Sequence, residues 1–175
     1  MKKNEFSIQN FLNIQEIIRM IDQKSNVLLV IYGIVLSLFV SVIEETSFVN
    51  LNAFDYILLK SKAILLFIFA IVIIVLLNIQ VYILLFKVLK PRTANHYENG
   101  SNSLFYYKHI SEMKKEDFIK AMSNVSEFDL DKAVQEQIYE ISKIASEKQK
   151  HYNHLAFMLF VTLTCLFFYI LVLKI

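Results

Sequence analysis

One cysteine, two glycines and one proline in 175 residues leave little room for several kinds of chemistry. Cys165 alone permits neither an intrachain disulfide nor a thiolate metal cluster. Gly33 and Gly100 stand far apart, so there is no glycine-rich loop to cradle a phosphate. No serine sits in a nucleophile elbow. Of the four histidines only His151 and His154 share helical i, i+3 spacing, and no carboxylate of metal-site type accompanies them. These absences argue against an enzyme, a resident metal and a cofactor.

Charge is also missing from three long stretches. Val27 to Ile43 is interrupted only by Tyr32, Gly33, Ser37 and Ser41. Ala63 to Phe86 runs for 24 residues with Asn78, Gln80 and Tyr82 as its polar members, and Leu155 to Leu173 runs for 19 with Thr162, Thr164 and Cys165. About 20 apolar residues cross a hydrocarbon core as a helix. The hydrophobic fraction is 56%, and the rest of the chain is too small to bury such runs in a soluble core. The expected fold is therefore all-α and integral to a membrane: three transmembrane helices whose helical extensions pack into a cytoplasmic bundle. A cleaved signal peptide is disfavoured, because about 26 residues precede the first run and Glu44-Glu45 follow it without a small-residue cleavage pattern.

The expected order is an amphipathic helix at 1–26, a span at 27–43, a short external connection at 44–62, a span at 63–86, a cytoplasmic helical region at 87–153 and a third span at 154–174. Orientation follows the positive-inside tendency. Lys2, Lys3, Arg19 and Lys24 precede the first run, and Lys87, Lys90, Arg92 and eight further lysines lie between the second and third. Residues 44–59 hold Glu44, Glu45 and Asp55 without a basic residue, although Lys60 and Lys62 follow at the membrane edge. This places the N-terminus and the long connection in the cytoplasm, with the C-terminus outside.

Phe11, Ile14, Ile18, Ile21 and Leu28 recur at a/d-like spacing, which predicts a helix over 5–26 that runs into the first span. Pro91 ends the second span, and Thr93 to Ser103 reads as a loop. A helix is predicted over 104–124, and another over 129–153 with Val134, Ile138, Ile141 and Ala145 on one stripe, continuing into the third span.

Gly33, Ser37 and Ser41 put small residues on one face of the first span, suited to packing within the protomer, to self-association or to a polar pore lining. Asn78 and Tyr82 form a similar pair on the second span, while Gln80 points elsewhere and needs its own partner. Asp22-Gln23-Lys24 reads as an interfacial ion pair or a snorkelling lysine, and Pro91-Arg92 has the same ambiguity. Phe105, Tyr106 and Tyr107 suit base stacking or an aromatic belt.

Ile21 to Leu29, Pro91-Arg92, Ser103 to Ile110 and Gln137 to Lys148 together resemble the transmembrane Pycsar effectors of bacteria, in the same order and with similar spacing. Ile21 and Ser25 stand where that family usually has alanines, and Tyr32 where it often has asparagine. The broader two-span effectors of nucleotide second-messenger systems are similar in layout. The resemblance implies an anti-phage role at the bacterial inner membrane: a partner nucleotide cyclase makes cCMP or cUMP on infection, and the effector binds it and compromises the membrane. Such a ligand needs a cation or a helix N-terminus for its phosphate, an aromatic face for its base and a few amide or hydroxyl groups for the base edge. On the family-matched segments the candidates are Lys24, Arg92 and Lys148 for phosphate, Phe105, Tyr106 or Tyr139 for stacking, and Asp22, Gln137 or Ser142 for polar recognition. Three spans cannot enclose a pore, so a homo-oligomer in contact with the lipid bilayer is expected, with Gly33, Ser37, Ser41 and Asn78 as the oligomer or pore face. The competing readings are a ligand-independent, holin-like lesion former and an accessory subunit of a larger membrane complex. The lesion former explains less well the roughly 65 residues placed between the second and third spans, whereas an accessory subunit would use the amphipathic helices as docking surfaces.

Overall fold

A computed structural model describes residues 3–45, 57–91, 104 and 106–174. Among them every regular element is helical: α1 (Lys3–Glu45), α2 (Ile57–Ile83) continuing as a π-turn over Leu84–Leu89, α3 (Tyr107–Glu112), α4 (Lys115–Asn124) and α5 (Glu127–Lys174). Three segments, Glu5–Glu44, Ser61–Leu89 and Glu127–Lys174, are long and apolar enough to cross a membrane. The protein is an all-α membrane protein. α1 has 43 residues and α5 has 48. At 1.5 Å per residue each is about twice as long as the ~30 Å hydrocarbon core, so each carries a long extension beyond the lipid.

The chain divides into two compact units, Asp22–Lys90 with Lys150–Ile175, which holds the apolar runs, and Met1–Ile21 with Pro91–Gln149. Within the first, burial on each helix follows a 3-4 alternation. Ser25, Leu28, Tyr32, Val35 and Phe39 are buried on α1, Leu66, Ala70, Ile73, Leu77 and Gln80 on α2, and Leu155, Thr162, Leu166 and Tyr169 on α5. Their neighbours on the other faces are apolar and exposed, as lipid contact requires. A repeat of 3.5 residues keeps one seam of a helix turned to its partners. Phe39 meets Tyr169 edge-on at 5.8 Å between ring centres.

The π-turn shifts this seam by one residue. Continuing the repeat from Gln80 through Leu84 puts Lys87 inward, yet Lys87 is exposed and Val88 is fully buried. The i→i−5 bond from the Lys90 amide to the Leu85 carbonyl, 3.0 Å, marks the extra residue in the turn. Lys90, just before Pro91, then adopts ψ 128°, because the proline ring excludes the helical conformation from the residue ahead of it.

Polar groups in the span unit pair across helices. The Gln80 amide donates to the Thr162 hydroxyl at 2.6 Å and to the Leu76 carbonyl at 3.1 Å, and Thr162 in turn donates to the Met158 carbonyl at 3.0 Å. Thr162 is thus the partner that Gln80 was expected to need. The carbonyl oxygen of Gln80 is buried with no hydrogen-bond partner among the described residues. Lys62 donates to the Leu173 carbonyl at 3.1 Å, meeting one of the last carbonyls of α5, where a cation is favoured.

In the other unit the helix expected over 104–124 is two helices. Met113 and Lys114 are extended, with ψ 149° and 146°. No proline or glycine announces this break. Glu116 and Asp117 lie in the first turn of α4, where negative charge complements the helix N-terminus, so a new start is favoured there. α5 begins at Glu127, two residues earlier than its apolar stripe suggests, because Ser126 caps it: the Asp129 amide donates to the Ser126 hydroxyl at 3.1 Å, and that hydroxyl donates to the Asp129 carboxylate at 2.5 Å.

The buried Gln80–Thr162 bond gives an ordering of stabilities. Thr162→Val leaves the Gln80 amide short of a partner and is expected to lower the unfolding free energy in detergent by about 1 kcal/mol. Gln80→Leu also removes the unpartnered oxygen and should cost less. SDS unfolding followed by circular dichroism measures both, and the reverse ordering would show that this bond contributes nothing.

Candidate functional site

Site candidates on α1 lie beside its buried seam. Ile21 and Ser25 are buried seam positions, Asp22 is half-buried and Lys24 is exposed. Residues two apart sit about 200° apart around a helix, so Asp22 and Lys24 project from opposite flanks and do not form a local ion pair. The Ser25 hydroxyl is buried without a hydrogen-bond partner among the described residues. Further up α1, Arg19 pairs with Glu16 at 2.7 Å on the exposed surface, and the hydrogen bond and charge of Glu16 raise the guanidinium pKa.

Arg92 and Phe105 lie outside the described residues. Tyr106 precedes α3, is buried, and meets His109 edge-on at 5.0 Å between ring centres. On α5 the candidates divide by depth. Gln137 is half-buried. Tyr139 is 58% exposed, and Lys143 Nζ stands 4.4 Å above its ring, covering that face. Ser142 donates to the Ile138 carbonyl of its own helix at 2.6 Å. Lys148 is only 5% exposed. It falls on the stripe of Val134, Ile138, Ile141 and Ala145, three residues beyond the last of them, so the periodicity already pointed it inward.

Glu140, also 5% exposed, escaped the sequence reading. Its place beside the apolar stripe is a weak signal, because glutamates flanking a helix seam are usually solvated. Tyr106 and Lys148 are the two candidates that burial sets apart from surface side chains, and Glu140 joins them.

In the span unit Gly33, Ser37 and Ser41 are all exposed, and a Cβ added at Gly33 meets nothing within 4 Å. A cavity of about 170 Å³ opens beside Gly33, lined by Leu29, Tyr32 and Leu36 of α1 and Leu77 and Val81 of α2. Asn78 is exposed, and its amide donates to the Ile74 carbonyl at 2.9 Å. Tyr82 packs on Phe86 at 4.9 Å.

A family model described as Pycsar effector protein domain matches residues 7–175. No curated protein and no solved structure matches the chain.

Burial separates the two lysines on structural grounds. Lys24→Ala should change the unfolding free energy by no more than about 0.5 kcal/mol, as for a surface position, whereas Lys148→Ala should cost about 1–3 kcal/mol. Equal effects of the two substitutions in a detergent unfolding series would contradict the buried placement of Lys148.

Proposed function

Since the chain belongs to the Pycsar effector protein domain family, we propose that it binds a cyclic pyrimidine mononucleotide, cCMP or cUMP, and then disrupts the bacterial inner membrane, halting growth of an infected cell. Family and spans together make it a membrane-embedded effector of anti-phage defence. The observation that carries the ligand-gated reading is the second compact unit, Met1–Ile21 with Pro91–Gln149, which a simple lesion former does not need. The family match covers that unit as well as the spans.

A cyclic mononucleotide presents one negative charge, a ribose hydroxyl and a flat base. Lys148 of this unit supplies a cation shielded from water, where a charge-assisted bond to phosphate is stronger than at the surface. Tyr106 supplies an aromatic ring, and Gln137 an amide that both donates and accepts. The family-matched Arg92 and Phe105 are further candidates for phosphate and base, and Asp22 and Lys24 are candidates by the resemblance alone. Of the α5 candidates, Ser142 and Tyr139 are weaker: the Ser142 hydroxyl already bonds its own helix, and Lys143 covers one face of Tyr139.

Binding energy reaches the membrane only if the ligand prefers one packing of the helices over another. α1 and α5 each run unbroken from residues of one unit into residues of the other, which gives a covalent route for such a change. Three spans do not enclose a pore, so membrane damage requires several copies. The exposed face of Gly33, Ser37 and Ser41 supports close approach of a second helix. The excess of lysine and arginine in the long connection supports a cytoplasmic location for it, where a cyclase product is made.

Titration calorimetry of the purified full chain with a panel of cyclic mono- and dinucleotides tests the ligand, and dye release from vesicles tests the damage. Binding of cCMP or cUMP with ligand-dependent release is expected, and release that is equal with and without nucleotide would reject gating. Lys24→Ala and Arg92→Ala should each abolish triggered release while insertion persists. Ser37→Phe should change the oligomer size in detergent, and an unaltered size distribution would count against this face.

A further inference from the structure

Two polar atoms in the span unit are sealed from water and left unsatisfied. The Gln80 carbonyl oxygen and the Ser25 hydroxyl are buried with no hydrogen-bond partner among the described residues, and both side chains are 0% exposed. The Gln80 amide is committed to the Thr162 hydroxyl and the Leu76 carbonyl, and turning it over would set its oxygen against that carbonyl, so its orientation is fixed. A helical serine can return its hydroxyl to the carbonyl one turn earlier, as Ser142 does, but Ser25 does not. Each orphan makes this packing less favourable than one in which water reaches it. The polar members of the seam are also gathered toward one end. Ser25, Tyr32, Gln80 and Thr162 are buried in the half of the span unit that leads to Lys24, Lys90 and Lys150. Toward the other end the seam holds Val35 and Phe39 of α1 and Ile73, Ala70 and Leu66 of α2, with the Tyr169 phenol as its polar member.

We propose that the strip of Ser25, Tyr32, Gln80 and Thr162 lines the water-filled passage through which the activated protein leaks, and that the apolar half of the seam keeps it dry at rest. The inference rests on the membrane disruption proposed above and names the residues that carry it. In the leaking form the helices turn this strip toward a lumen shared by several copies. Water then supplies the bonds that Gln80 and Ser25 lack, so hydration of the strip favours opening and the ligand need not provide the whole of the driving force. At the other end a constriction of aliphatic and aromatic side chains excludes water until the helices move, as in pores that gate by dewetting. The roles of the two faces of α1 separate accordingly. The exposed Gly33, Ser37 and Ser41 meet a second copy, and the buried seam becomes the lumen.

The experiment labels single cysteines in the full chain, reconstituted in dye-loaded vesicles, with a membrane-impermeant cationic thiol reagent present on both sides of the bilayer. Cys165→Ala removes the native thiol, and Gln80→Cys, Thr162→Cys or the exposed, lipid-facing control Val75→Cys is added to it. A thiol reacts as its thiolate, which needs water, so Gln80→Cys and Thr162→Cys should label about tenfold faster or more when cCMP or cUMP releases dye than at rest. The adduct at either position should slow release, and Val75→Cys should stay unlabelled throughout. Gln80→Leu fills similar space without the orphan oxygen, so it should insert and bind nucleotide as before but release dye several-fold more slowly. Release without labelling at either seam position would overturn the assignment, as would release by Gln80→Leu at the wild-type rate. Equal labelling at rest and during release would also overturn it, because the strip would then be wet without opening. If vesicles leak without nucleotide, gating fails but labelling during the leak still decides the lining. If they never leak, the proposed membrane damage fails and the lining with it, an outcome separate from leakage that bypasses these residues.

Discussion

Hydrocarbon offers no hydrogen-bond partner, and that constraint shapes the structure from end to end. Each backbone amide and carbonyl in the spans must be satisfied within its own segment, which leaves the helix as the form for an isolated run. The same demand falls on side chains. Thr162 donates back to Met158 and accepts from Gln80, and Asn78 turns its amide to the Ile74 carbonyl one turn earlier. Apolar side chains then face lipid freely, so the exposed surface of these helices is rich in phenylalanine, isoleucine and leucine.

Between the helices the organising element is the 3.5-residue seam. It admits serine, tyrosine, glutamine and threonine as well as aliphatic residues, and these polar members fix depth and register more sharply than interchangeable leucines do. Where the seam meets Lys87 the π-turn adds one residue and brings Val88 inward instead, which keeps a charge out of the helix contact. Lys62, which runs against the charge asymmetry of the loops, has a local use: it bonds the Leu173 carbonyl near the end of α5.

The second unit works by different rules, because water is present and charge is expected at the surface. Lys148 is 5% exposed, unlike the members of the exposed Arg19–Glu16 pair. A surface pair of that kind contributes little, whereas a buried charge persists only when something repays its desolvation.

Hydropathy and periodicity determined the helical class, the three apolar runs, the stripes on α1 and α5 and the end of α2 at Pro91, because lipid burial and helical spacing are written residue by residue. The break at Met113-Lys114 and the early start of α5 at Ser126 depend on turn and cap geometry, whose sequence signals are short and common. The partner of Gln80 and the inward turn of Val88 were decided only by the tertiary structure. Each depends on what a neighbouring turn or helix presents at one depth, and a linear pattern holds the spacing along a helix but not the identity of the atoms across from it.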